Sequence, residues 1–102
     1  MRKMVLLTVV VLLVQLSPVV GADLDEGKRL FHDKTLGTNG RSCATCHAEG
    51  KGLQDAAGYE QEMLQDLVNF CIRDALKGEL FPSDAPQLAA LETYIRTFNK
   101  KQ

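Results

Sequence analysis

The chain has 102 residues, 45% of them hydrophobic and 25% charged, which is enough for one small domain and not for several. Its 12 Lys and Arg residues against 13 Asp and Glu give a formal net charge of −1, and no basic run stands out, so a nucleic acid is not an expected partner. There is no Trp, and a chain this short with few aromatic residues usually needs a disulfide, a metal or a large cofactor to be stable.

The first 22 residues have the pattern of an export signal. Arg2 and Lys3 precede an uncharged apolar run over residues 4–16, and the small residues Val20 and Ala22 suit a cleavage site. The run is shorter than the roughly 20 residues that a transmembrane helix needs. We therefore predict that residues 1–22 are a cleaved signal peptide and that the rest acts in the periplasm, with an uncleaved membrane anchor as the alternative.

The first helix is predicted over residues 23–34. Asp23 as N-cap and Glu26 three residues later resemble a capping box. Gly27 weakens a helix relative to Ala. Its presence in this position indicates that another helix crosses there at close range.

Two further helices follow. One is predicted over residues 59–77, with a long apolar stripe and Gly78 directly after it, and the other from residue 84 or 85 to residue 98. No segment alternates apolar and polar residues in the manner of a strand. The sequence therefore predicts an all-α domain of three main helices over residues 23–102.

The stretch S-C-A-T-C-H at residues 42–47 contains the C-x-x-C-H motif by which c-type haem is attached. Two cysteines three positions apart can each bond a vinyl group on the same edge of one porphyrin, and the next residue can place an imidazole under the iron. Cys43 and Cys46 are thus predicted to hold one covalently attached haem c, with His47 as the proximal iron ligand. The haem would also supply the apolar volume that the short chain lacks.

Three other interpretations of the motif are weaker. A structural zinc site needs about four ligands, and the chain offers only Cys71 as a further thiol. A thioredoxin-like C-x-x-C belongs to a βαβ pattern, which the sequence does not show. A plain disulfide between Cys43 and Cys46 would leave His47 without a role. Export also favours haem, because c-type haem is attached outside the cytoplasm in bacteria.

The motif and the segments G-K-R-L-F at 27–31 and L-x-x-Y-I at 91–95 resemble a small bacterial monohaem cytochrome c of class I. In that family a glycine and an aromatic residue of the first helix cross the last helix and its aromatic residue. The resemblance implies that Gly27, Phe31 and Tyr94 meet in this way.

Two other segments carry further resemblances. Residues 27–47 are similar to the opening of di-haem cytochrome c peroxidases, although such peroxidases are long chains with two haems. Residues 69–78 are similar to a stretch of several bacterial monohaem and sulfur-oxidising cytochromes.

The sixth iron ligand is where the sequence departs from class I cytochromes, which usually supply a Met shortly before the last helix. No Met follows Met63 here. Met63 is the favoured ligand, because His and Met together suit cytochromes c. Cys71, His32, water or an open site remain as alternatives.

The expected function is that of a one-electron carrier between transient redox partner proteins, as a monomer and without enzyme activity. No set of acid–base side chains indicates a substrate pocket. Two alternatives are a haem-binding subunit of a respiratory or sulfur-oxidising complex, and a haem protein that reacts with peroxide or a small gas at an open sixth site. Basic residues near the motif could form a docking rim for an acidic partner, but a solvated face of mixed charge is the better explanation; they are Lys28, Arg29, Lys34, Arg41 and Lys51.

Overall fold

A computed structural model describes residues 10–11 and 19–99. Its helices are α1 (Val19–Phe31), α2 (Cys43–Cys46), α3 (Gln61–Asp74) and α4 (Pro86–Ile95), with 3₁₀ turns at Ala48–Gly50, Ala56–Gly58 and Arg96–Phe98. No strand occurs in these ranges, so the prediction of an all-α domain is confirmed. No helix within them is long and apolar enough to cross a membrane. Most of the predicted signal peptide lies outside the described residues, and it stays a prediction.

The start of α1 differs from the prediction. The helix begins at Val19, four positions before the expected N-cap Asp23, and it ends at Phe31. The expected capping box does not form, because the Glu26 carboxylate accepts hydrogen bonds from the Arg29 guanidinium at 2.6 and 2.8 Å. An acidic pair three residues apart therefore indicated a helix here but not its first residue.

The other two predicted helices are present, with α3 three residues shorter at its end than expected. Its last residue is Asp74, and Lys77 takes a left-handed backbone conformation with φ of 58°. The Gly78 amide then donates to the Ile72 carbonyl at 2.8 Å, which closes the end of the helix. The α4 helix and the turn that follows it end at Phe98, as predicted.

α1 and α4 cross at Gly27. A Cβ atom there would meet the Ala90 carbonyl oxygen and would lie 2.7 Å from the Tyr94 Cβ, so only glycine permits this approach. Next to the crossing, the Phe31 ring packs edge-on against Tyr94, with centroids 5.3 Å apart, and also contacts Phe98 at 5.5 Å. The close crossing and the meeting of Gly27, Phe31 and Tyr94 are confirmed.

The core lies between α1, α3 and α4. Ile72 and Leu91 are completely buried, and Phe31 and Leu88 are nearly so. The other buried apolar side chains are Leu30, Ala56, Leu64, Val68, Leu76, Ala90 and Ile95.

Candidate haem-attachment site

The loop that leads to the motif is fixed to the end of α3. The Thr38 amide donates to the Leu76 carbonyl at 2.9 Å, and its hydroxyl donates to the Lys77 carbonyl at 2.7 Å. The Asn39 side-chain amide donates to the Ala75 carbonyl at 2.8 Å. The three carbonyl groups follow the last residue of α3 directly, so these bonds hold the loop against the end of the helix.

The motif itself forms the single turn of α2. Ser42 precedes it and is buried, and its amide donates to the Thr45 hydroxyl at 2.9 Å. The His47 amide donates to the Cys43 carbonyl at 2.9 Å, which closes the turn. The helical turn brings Cys43, Cys46 and His47 to the same cleft.

His47 is oriented by a backbone group. Its ring Nδ1 lies 2.8 Å from the Lys51 carbonyl oxygen. A carbonyl can only accept a hydrogen bond, so Nδ1 carries the proton and Nε2 is left with its lone pair available to a metal. A metal-ligating histidine is commonly held in this way by its second nitrogen.

The cleft lies between α2 and α3 and is open to solvent. One wall carries the motif. The facing wall is formed by α3 and the residues that flank it, and it is almost entirely apolar. The lining residues outside the motif are Phe31, Ser42, Leu53, Ala56, Tyr59, Leu64, Leu67, Val68, Cys71, Ala75, Leu76 and Ile95.

All three cysteines of the chain line this cleft as free thiols. Burial of the Cys43 thiol raises its pKa to about 11, and the negative charge that Cys71 would carry is the next largest cause. Burial also raises the pKa of Cys71, with smaller effects from Asp74 and Cys46. The reactive form of cysteine is the thiolate, so Cys43 and Cys71 stay neutral and slow to oxidise at physiological pH. No disulfide joins Cys43 to Cys46.

The candidates for the sixth ligand separate into two groups. Cys71 lines the cleft, and so does Tyr59, whose phenol the sequence did not suggest. Met63 does not: its side chain is 53% exposed and lines a separate shallow depression. His32 is exposed on α1, with Nδ1 2.8 Å from the Lys28 carbonyl oxygen. The structure therefore brings neither Met63 nor His32 to the motif, and ligation by Met63 stays a prediction that this geometry does not support.

Sequence reasoning also missed Lys51 and Leu53. The Lys51 carbonyl orients His47 through the backbone, so its side chain carries no signal of the role. Leu53 lines the cleft from a loop, where apolar periodicity gives no guide. The zinc alternative gains nothing, because residues 10–11 and 19–99 contain no group of three or more His, Cys, Asp or Glu side chains that could hold a metal.

These residues fit a covalently attached haem. Two free thiols three positions apart lie beside a histidine whose Nε2 is available, and the cleft in front of them is apolar. An apolar cleft suits the faces of a porphyrin, because burying them removes apolar surface from water. The chemistry of the donor set is that of haem c.

Comparison with known proteins gives one match. Residues 22–102 match the model of the family described as di-haem cytochrome c peroxidase. No curated protein and no solved structure was found to match. The match supports a haem-containing c-type protein, as the motif predicts, whereas the narrower resemblance to monohaem class I cytochromes is not confirmed.

The family corrects one prediction. Absence of enzyme activity was expected because no acid–base side chains indicated a substrate pocket, and for a peroxidase family that expectation is wrong. The reason is chemical: a haem enzyme places its reactive centre on the cofactor, so the protein need not show a set of catalytic side chains. Since the match extends over most of its length, the chain belongs to the di-haem cytochrome c peroxidase family.

Proposed function

We propose that this chain binds one haem c and works in a peroxide-reducing system of the periplasm, accepting electrons singly from a redox partner protein. The family match over residues 22–102 is the observation that carries the proposal. The cleft supports it, because no Met or second His among the described residues lines the wall that faces His47. Cys71 and Tyr59 do line the cleft, and the carbon monoxide experiment below tests whether either of them closes the position that a peroxide would use.

Two residues of the motif would attach the haem, and a third, whose ring is oriented by a backbone group, would bind its iron. Cys43 and Cys46 would form the two thioether bonds, and His47 would bind iron through Nε2 while the Lys51 carbonyl holds the other side of the ring. Leu64 and Val68 would present apolar side chains to the haem. When bound, the haem supplies the one-electron and peroxide chemistry.

The test begins with the exported protein produced in cells that attach c-type haem. Mass spectrometry should show one haem per chain, and the double variant Cys43→Ser with Cys46→Ser should show none. The reduced holo-protein is then mixed with hydrogen peroxide and a neutral reductant such as hydroquinone. Each peroxide takes two electrons and two protons to give two waters, so one hydroquinone should be consumed per peroxide. A holo-protein that consumes no peroxide would contradict the proposal.

A second candidate is that the chain carries electrons to a haem on another chain or domain of a two-haem peroxidase or of a larger respiratory or sulfur-oxidising complex. The single C-x-x-C-H favours it, because the family is described as di-haem. Carbon monoxide distinguishes the two. Rapid stoichiometric binding to the reduced protein indicates an accessible sixth position and direct reaction with peroxide, whereas no binding indicates electron transfer onward.

A further inference from the structure

One face of α3 is apolar and has no partner among the described residues. Met63, Leu67 and Phe70 follow one another at helical spacing, and they are 53%, 42% and 46% exposed. Together with the acidic residues beside them they line a shallow depression that is distinct from the cleft. We call Met63, Leu67 and Phe70 the α3 patch. A contiguous exposed apolar surface of this kind is typical of an interaction site.

The rim of the α3 patch is acidic. Glu60, Glu62 and Asp66 line the depression, and none of them forms an ion pair within the described part of the chain. The nearest cation in sequence, Arg73, stacks over the Phe70 ring at 5.0 Å, but its guanidinium is paired with Asp74 at 2.8 Å. The rim therefore presents negative charge that no described cation offsets.

The α3 patch is continuous with the haem-attachment cleft through Leu67, which lines both. A protein seated on the patch would thus lie directly against the wall of the cofactor site. A position of this kind suits electron exchange, since encounters between redox proteins are brief and use small interfaces.

We propose that the α3 patch is the docking surface for a redox partner whose contact face is apolar at its centre and ringed by Lys or Arg. The proposal rests on the proposed function in requiring the haem, and it adds where the electron enters. Opposite charges at the rim would steer the partner and speed encounter. A second copy of this chain is a poorer occupant, because two-fold pairing through the patch would bring two acidic rims together.

The experiment measures electron transfer from a probe protein to the oxidised holo-protein by stopped-flow absorption. The probe is reduced mitochondrial cytochrome c, a lysine-rich protein, and its control is the same protein after succinylation, which replaces the lysine charges by carboxylates. Asp66→Lys reverses one charge of the rim. Asp25→Lys makes the same change at an exposed site on α1 and is the matched control.

At an ionic strength of about 20 mM, Asp66→Lys is expected to lower the rate constant with the native probe by roughly fivefold, and at about 0.5 M the difference should vanish. Asp25→Lys should have little effect at either concentration. Met63→Gln, which removes apolar character at similar size, should lower the rate about twofold at both concentrations, because this loss is not screened by salt. Reduction by neutral hydroquinone should be the same for all variants.

The docking surface would be overturned by equal losses for Asp66→Lys and Asp25→Lys, by a faster reaction with the succinylated probe, or by no exchange with the native probe. A loss that appears equally with hydroquinone would show that the substitution changes the haem and not docking, which also rejects it. Failure of the proposed function is read separately. If the holo-protein exchanges electrons as described but consumes no peroxide, the result supports the docking surface and contradicts the proposed peroxidase activity.

Discussion

The α1–α4 crossing and the cleft between α2 and α3 differ in how far the polypeptide completes them. At the crossing, Gly27 lies against Ala90 and Tyr94, and the aromatic rings beside it are in contact with one another. The cleft is bounded by apolar side chains that do not meet, with free thiols on both of its walls. The crossing is filled by the protein's own side chains, whereas the cleft has the shape and chemistry of a cofactor site.

The largest effect should come from removing the attachment of the cofactor. Cys43→Ala with Cys46→Ala prevents haem binding and leaves the cleft facing water. Covering roughly 300 Å² of apolar surface contributes about 7.5 kcal/mol at 25 cal/mol per Å², comparable to the whole stability of a small domain. We expect a large fall in melting temperature and a loss of α3 helicity, measured by circular dichroism.

Cys71→Ala is the control for that variant, because it removes a cleft thiol without removing a tether. A double variant that keeps the melting temperature of the holo-protein would show that the cleft region, like the crossing, is complete without haem.

The next largest effect is expected at the crossing. Gly27→Ala places a Cβ against the Ala90 carbonyl oxygen, which can move only if the helices separate. Overpacking of this kind costs about 3 kcal/mol. Gly58→Ala is the matched control, since nothing lies within 4 Å of a Cβ at Gly58 and its φ is not left-handed. Urea unfolding of both variants measures the difference, and equal midpoints would disprove the close crossing.

Two substitutions on α3, each of which removes a sulfur-containing side chain, test which residue lies near the haem. Met63→Ala should leave the ferric absorption spectrum unchanged, because Met63 lies outside the cleft. Cys71→Ala should change it, because Cys71 lines the cleft in which the haem would lie. The opposite pattern would restore Met63 as the sixth ligand and would require α3 to rotate in the holo-protein.

The sequence predicted one region better than the other because the two predictions had different grounds. At the crossing, Gly27 indicated a close approach, and the resemblance to class I cytochromes c implied that Phe31 and Tyr94 meet there, as they do. On α3, Met63 and Cys71 belong to the same apolar stripe but are eight residues apart. At about 100° per residue they differ by about 80° around the helix, which is enough to place one in the cleft and the other on the surface.

The boundaries of the elements were less predictable than their existence. α2 has four residues, too few for any periodic signal, so only the motif marked its place. At α1 the pair Asp23 and Glu26 looked like a cap, but Glu26 binds Arg29 instead. Local pairs of this kind depend on which side chain is nearest, and sequence spacing alone does not decide it.

A smaller effect should come from the contact that joins α3 to the connector before α4. The Asn69 side chain donates to the Phe81 carbonyl and accepts from the Phe81 amide, both at 2.9 Å. Asn69→Ala removes both bonds and should destabilise the protein by about 2 kcal/mol. Gln61→Ala, an exposed amide on the same helix, should change stability by less than about 0.5 kcal/mol. Equal urea midpoints for the two variants would contradict the role of Asn69.

The smallest predicted effect is a loss of stability at acidic pH that arises in the turn leading from the crossing to the motif. The Asp33 carboxylate accepts hydrogen bonds from the Thr35 hydroxyl and amide at 2.6 and 2.8 Å, and these bonds, more than the neighbouring Arg29, lower the pKa of Asp33. A lowered pKa means stability that is present above the ordinary value of 3.8 and is lost as the pH falls through the folded value. Because Asp33 is partly exposed, the contribution should not exceed about 0.5 kcal/mol. Between pH 5 and about pH 2, urea midpoints of the wild-type protein should therefore fall slightly more than those of Asp33→Asn, and a steeper fall in the variant would show that Asp33 does not stabilise this turn.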